Sequence, residues 1–123
     1  MAAKAKLLFT ENFAANLDDI QSFSETEGRP AFQRLLSRIF DDISPTLSRF
    51  PQSGRSFLAH RIGSAEAQIV VDRLGGVIHP GDDLREFTVD DYIILYLVRR
   101  RRIYFLAIKH HRQLSFDLRH FWP

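Results

Sequence analysis

Two almost continuous apolar segments near the C-terminal end of the chain constrain its fold most. Residues 92–98 and 103–108 are rich in β-branched and aromatic side chains, which is typical of strands. Because neither segment alternates between apolar and polar residues, both faces of each strand should be covered, which predicts central positions in a sheet. A shorter strand is predicted before them, over residues 84–89.

Four consecutive cations connect the two apolar segments: Arg99, Arg100, Arg101 and Arg102. They predict a hairpin connection, and we expect a loose turn because the Asn-Gly or Asp-Gly pair of tight hairpin turns is missing. The arginines could neutralise phosphates of a nucleic acid, whereas a charged turn that keeps two apolar strands soluble explains them equally well.

An apolar stripe at helical spacing predicts a helix that lies against the sheet. Its members are Phe32, Leu35, Leu36, Ile39, Phe40, Ile43 and Leu47. An earlier helix, capped by Thr10, would bury Phe13, Leu17 and Ile20, and Gly28 with Pro30 would separate the two helices. Pro45 cannot donate an amide hydrogen bond, so we expect either a kink or a new turn capped by Ser44.

The connection at about residues 56–83 is rich in glycine and proline and is the least regular part of the chain. Ser64 could cap a helix that starts at Ala65, with Gly75 as its left-handed C-terminal residue, although the β-branched residues 69–71 disfavour a helix. With an initial strand at residues 5–9, the predicted order is β-α-α-β-β-β. We predict one α+β domain over residues 1–123, a helical hairpin packed on a small, mainly antiparallel sheet, with a tail at about 112–123.

Composition narrows the function classes. The 123 residues include no cysteine, which excludes disulfides, thiolate metal sites and a cysteine nucleophile. The N-terminal apolar run is too short for a signal peptide and no segment is long enough to span a membrane, so we expect a cytoplasmic protein. Eight basic and four acidic residues lie in residues 84–123, which favours this part as the contact for a polyanion or an acidic protein.

Three short motifs occur in a fixed order along the chain: Phe50-Pro51-Gln52-Ser53-Gly54-Arg55, then Leu84-Arg85-Glu86-Phe87 with Asp91-Tyr92-Ile93-Ile94-Leu95-Tyr96, then Ile103-Tyr104-Phe105-Leu106-Ala107-Ile108-Lys109-His110-His111-Arg112. Their order and spacing resemble the RelE/ParE family of bacterial toxins. The resemblance implies the toxin of a type II toxin–antitoxin system, neutralised by a cognate antitoxin in a hetero-oligomer. Such toxins block growth by ribosome-dependent cleavage of messenger RNA or by binding DNA gyrase. A non-toxic protein-interaction domain of the same fold is the alternative.

The same resemblance suggests site residues. In ribonuclease members a basic residue, a histidine or a tyrosine after the last strand assists cleavage, which offers His110 or His111 as acid and base, with Arg85 and Arg112 to stabilise the phosphate. Further target-binding candidates are Lys109, Arg99, Arg100, Arg101, Arg102, Arg55 and Arg61. One histidine packed in the core and another in solvent is the simpler interpretation of the pair.

Two features favour the gyrase-binding branch, which performs no chemistry. The loop after the second helix has few cations, and Phe116 and Phe121 replace a proton-exchanging tyrosine after the last strand. His79 with Asp82 and Asp83 lacks the spacing of a closed metal site, so we expect neither metal nor cofactor.

Overall fold

The computed structural model describes residues 4–27, 29–60 and 64–120. Five strands and five α-helices occur there in chain order, together with one π-helix and one 3-10 turn. The bounds are β1 (Lys6–Phe9), α1 (Glu11–Glu27), α2 (Arg29–Ser37), the π-helix (Arg38–Ile43), α3 (Ser44–Arg49), the 3-10 turn (Pro51–Ser53), β2 (Arg55–Ser56), α4 (Phe57–His60), α5 (Ala65–Leu74), β3 (Asp83–Val89), β4 (Tyr92–Arg99) and β5 (Arg102–His110).

The strands form one sheet in the order β1-β5-β4-β3-β2. Only the pairing of β1 with β5 is parallel, while the other three pairings are antiparallel. The two strongly apolar strands, β4 and β5, lie in the interior of this sheet as predicted, where neighbouring strands pair both of their edges and packed residues cover both faces. The α+β fold class is confirmed.

The β4–β5 connection is tighter than predicted. Only Arg100 and Arg101 lie between the paired residues Arg99 and Arg102, and Arg100 adopts a φ of 56°. The expectation of a loose turn was wrong, because a single left-handed residue provides the sharp reversal without glycine. Asp90 plays the same part between β3 and β4, with a φ of 51°.

The helical hairpin covers one face of the sheet. Most of the predicted stripe is buried there, including Phe32, Leu35 and Ile39, whereas Phe40 is 47% exposed. At Pro45 the helix does not restart: the π-helix widens it, and the Ser44 hydroxyl donates to the Ile39 carbonyl at 2.7 Å. The alternative of a new turn capped by Ser44 was therefore wrong, because Ser44 is itself helical and the wider π-helical turn accommodates the missing proline amide.

A second layer, which the sequence prediction of a one-sided helical hairpin did not include, covers the other face. Helix α5 and the tail contribute Val70, Leu74, Phe116 and Leu118 to a second core, in which they pack on the β4 side chains that point away from the helical hairpin. The connection and the tail thus bury a sheet face. The predicted helix in the connection is confirmed, with the Ser64 hydroxyl accepting from the Ala67 amide at 3.0 Å. Gly75 was expected to be left-handed and is not, since its φ is −55°.

Beyond the end of β1, polar side chains at the start of α1 form hydrogen bonds with the backbone of β5. The predicted cap Thr10 accepts from the Phe13 amide at 3.2 Å and donates to the Phe105 carbonyl at 2.7 Å. Asn12 donates to the Leu106 carbonyl, and Asn16 accepts from the Ile108 amide. These bonds satisfy the backbone of β5 beside its bulge and fix the direction in which the strand leaves the sheet.

Candidate functional site

The end of β5 carries an aromatic and basic cluster formed by Tyr92, His110, His111 and Arg112. Tyr92 lies opposite His110 in the β4–β5 register, and the two rings meet edge to face at 5.3 Å between centroids. The rings of His110 and His111 are stacked at 4.6 Å. The Arg112 amide donates to His110 Nδ1 at 3.1 Å, which leaves Nε2 to carry the proton of the neutral ring.

Burial lowers the pKa of His110 below its ordinary value, and the neighbouring His111 and Arg112 lower it further. Asp91 acts in the opposite direction. These effects favour the neutral form of His110, whose one lone-pair nitrogen, Nδ1, already accepts from the Arg112 amide. His111 is half-exposed, with Nε2 4.0 Å from the Asp91 carboxylate.

An open cavity of about 510 Å³ adjoins this cluster. Its lining is Asn16, Asp19, Ile20, Phe23, Tyr92, Ile108, His110, Arg112, Gln113 and Asp117. Asp19 and Asp117 line the same cavity as Arg112, and Asp91 lies beside His111. The Asp117 carboxylate is bound by Arg119, which lowers the Asp117 pKa and compensates its charge within the pair.

Arg85 lies away from this cluster. It pairs with Tyr96 on β4, whereas His110 pairs with Tyr92, so the two sites are about 13 Å apart along the strands and about 10 Å across β4. The Arg85 guanidinium donates to the Gly54 carbonyl at 2.6 Å and to Asp83 at 2.7 Å. In this position Arg85 has a structural role, because it stabilises the turn before β2.

Lys109 is also inaccessible to a partner, because its side chain points into the second core. It is 3% exposed, and Nζ lies 2.6 Å from Glu66 Oε2 and 4.8 Å from the centre of the Phe116 ring. A partner at the surface cannot reach this ammonium without opening the tail. Arg55 is half-exposed and pairs with the buried Glu86 carboxylate at 2.7 Å, while Arg61 lies outside the described residues.

The arginines of the β4–β5 hairpin lie at the opposite end of the sheet. Arg102 and His110 are the two ends of β5, eight positions apart, which is a distance of about 26 Å. Arg99 is a structural residue: both of its bonds to Asp82, at 2.9 and 2.7 Å, and one to the Val77 carbonyl hold the preceding loop. Arg100, Arg101 and Arg102 are exposed. The structure thus groups three of the predicted catalytic residues and separates them from the exposed arginines.

Comparison with protein families decides the relationship. The family described as the ParE toxin of the type II toxin–antitoxin system, parDE, matches residues 7–115. The chain belongs to the ParE toxin family. A search of curated proteins gave no match.

Within this ParE-family toxin, sequence reasoning missed the buried polar residues that hold β5 and the tail in place beside the site. Asn12 and Asn16 are buried and bind both β5 and the Asp117 carbonyl, so they attach the tail beside His110. Glu66 is the partner of Lys109. The spacing of Asn12 and Asn16, four residues apart beside the buried Phe13, is the one signal that could have revealed them, since it puts both amides on one helix face.

The described part of the toxin contains no helix long and apolar enough to cross a membrane. It also contains no group of three metal-binding side chains, and His79, Asp82 and Asp83 do not form one. Asp82 binds Arg99 and Asp83 binds Arg85.

Proposed function

We propose that this ParE-family toxin arrests bacterial growth by binding DNA gyrase in the cytoplasm, without cleaving RNA, and that a cognate antitoxin neutralises it by forming a hetero-oligomer. The observation that carries the proposal is the separation of the β5-end histidines from the exposed cations. Family membership supports the toxin and antitoxin roles, and this separation supports the choice of target.

RNA cleavage requires a base, an acid and positive charge around one phosphodiester. Here the Arg85 guanidinium is bound to the Gly54 carbonyl and Asp83, and Lys109 is bound to Glu66. Arg112 remains beside the histidines, and the carboxylates of Asp19, on the cavity lining, and of Asp91, beside His111, lie at the same end of the sheet. The Asp19 and Asp91 carboxylates repel an RNA backbone, so this end of the sheet is poorly suited to hold a messenger RNA.

A ribosome-dependent endoribonuclease is the second candidate function. The tautomer of His110 favours it in one respect, because the Nε2–H of its neutral ring would be able to protonate the leaving oxygen, with His111 beside it as the base. Arg112 would then be the phosphate-binding cation. This candidate needs His110 and His111 for activity, whereas gyrase binding does not require proton transfer.

The two functions can be separated with purified components. The toxin is added to gyrase with relaxed plasmid, and in parallel to a bacterial translation extract with a reporter messenger RNA. We expect inhibited supercoiling, intact RNA, and recovery of supercoiling when the antitoxin encoded beside the toxin is added. Cleaved reporter RNA with normal supercoiling would establish the ribonuclease instead. Normal activity in both reactions would leave the non-toxic interaction domain.

A further inference from the structure

A basic groove of about 940 Å³ opens at the end of the sheet opposite the histidines. Its lining is Lys4, Lys6, His79, Pro80, Gly81, Asp82, Arg99, Arg100, Arg101 and Arg102. Lys6 and Arg102 are register neighbours on β1 and β5, and the Lys6 amide donates to the Arg101 carbonyl at 2.7 Å. Two elements that are remote in sequence, the first strand and the last hairpin, therefore bring their cations together.

The positive charge of this groove is left uncompensated within the described chain. Five exposed cations line it, namely Lys4, Lys6, Arg100, Arg101 and Arg102, and none of them forms an ion pair with a described carboxylate. Asp82 is the one acidic lining residue, and both of its oxygens are held by Arg99. Arg99 also holds the pKa of Asp82 below its usual value, so this charge stays paired with its own arginine. Mutual repulsion of the five cations is relieved when a polyanion enters.

We propose that this groove binds the sugar–phosphate backbone of duplex DNA. Phosphate contacts need only converging lysines and arginines, which the groove supplies. Apart from the imidazole of His79, no aromatic ring of the described residues lines it, and single-stranded nucleic acid is held by stacking on aromatic rings. An acidic peptide would need apolar anchoring positions, and the lining offers only Pro80 for that purpose.

The hairpin also fits the shape of a DNA duplex. Arg100 and Arg101 form a two-residue tip between paired strands, and a two-stranded ribbon enters the major groove of B-DNA, which is about 12 Å wide. The deep, narrow major groove of an RNA duplex excludes such a ribbon. The inference goes beyond the proposed function and stands without it, because it concerns the toxin and DNA alone.

The test measures binding of the purified toxin to a labelled DNA duplex of about 20 base pairs as salt rises from 50 to 200 mM. With five phosphates neutralised, the logarithm of the affinity should fall with a slope of about −4.5, which is a loss of about 500-fold over this range. The triple variant Arg100→Gln, Arg101→Gln, Arg102→Gln should bind weakly at 50 mM salt and show a slope of only about −1.8.

A matched control removes the same charge elsewhere: Arg29→Gln, Arg34→Gln and Arg49→Gln, all exposed on the helical hairpin. This control should keep the wild-type slope, and thermal melting should show that both variants are folded. Equal loss of binding in both triple variants would overturn the proposal. So would tighter binding to a single strand, to an RNA duplex of the same sequence or to a glutamate-rich peptide, or no binding to DNA at all.

Discussion

At Gly54 the backbone passes so close to β3 and β4 that a side chain has no room. A Cβ atom there would collide with the Glu86 carbonyl and with the Tyr96 ring. The Tyr96 hydroxyl accepts from the Gly54 amide at 2.9 Å and donates to the Pro51 carbonyl at 2.8 Å. Burial raises the pKa of Tyr96, so this hydroxyl stays protonated and keeps both bonds. The proline-then-Gly-Arg motif is therefore a structural lock between the helical hairpin and the sheet.

We predict that Gly54→Ala destabilises the toxin by about 1–3 kcal/mol, because the methyl group meets backbone that cannot move without breaking the β2–β3 pairing. Urea unfolding measures the change. Gly76→Ala is the control, since a Cβ there would meet nothing within 4 Å, and its effect should stay within about 0.5 kcal/mol. Equal stabilities of the two variants would show that the backbone at Gly54 does not approach Glu86 and Tyr96 this closely.

His110 should titrate below pH 6.5, because burial and the positive charges of His111 and Arg112 disfavour its protonated form. A folded pKa below the unfolded value means that the unfolded chain binds more protons between the two values. The stability that neutral His110 contributes is thus complete above pH 6.5 and lost as the pH falls through the folded pKa.

Following the His110 ring by NMR during a pH titration tests this directly. His111→Ala should raise the His110 pKa by removing one neighbouring charge, and Asp91→Asn should lower it. A folded pKa at or above 6.5 in the wild-type toxin would refute the assigned environment.

The tail contributes to stability through two buried side chains. Phe116 and Leu118 are 4% and 5% exposed, whereas Leu114 in the same segment is 94% exposed. We predict that Phe116→Ala and Leu118→Ala each cost about 2–5 kcal/mol, and that Leu114→Ala costs less than about 0.5 kcal/mol. Denaturant unfolding of the three variants is the measurement. Three similar values would mean that the tail does not cover the second face.

The elements that the sequence predicted well are those specified by local pattern. Continuous apolar runs indicated β4 and β5, and one stripe indicated the helical hairpin. The tight β4–β5 turn was not predicted, since an arginine at positive φ has no compositional signal. The role of the connection and tail was missed because glycines and prolines interrupt the apolar residues of the connection, and only the fold brings Val70 and Leu118 into one cluster.

Taken over the whole molecule, the residue types of the candidate site were predictable and their arrangement was not. The sequence predicted Arg102 before the last strand and His110 after it, and that strand separates the two residues by about 26 Å. The burial of Lys109 depends on Glu66, which lies 43 residues away in sequence. Long-range partners of this kind carry no local pattern, so a single sequence cannot assign a surface role to each cation.

The most direct test of binding without cleavage is made in growing bacteria. The wild-type toxin and a double variant, His110→Ala with His111→Ala, are induced without antitoxin, and RNA 5′ ends and plasmid supercoiling are followed together. We predict that both proteins stop growth and disturb supercoiling with no new RNA ends, because a binding toxin loses only surface contacts in the variant. New RNA ends with the wild type that vanish with the double variant, together with its toxicity, would contradict the account.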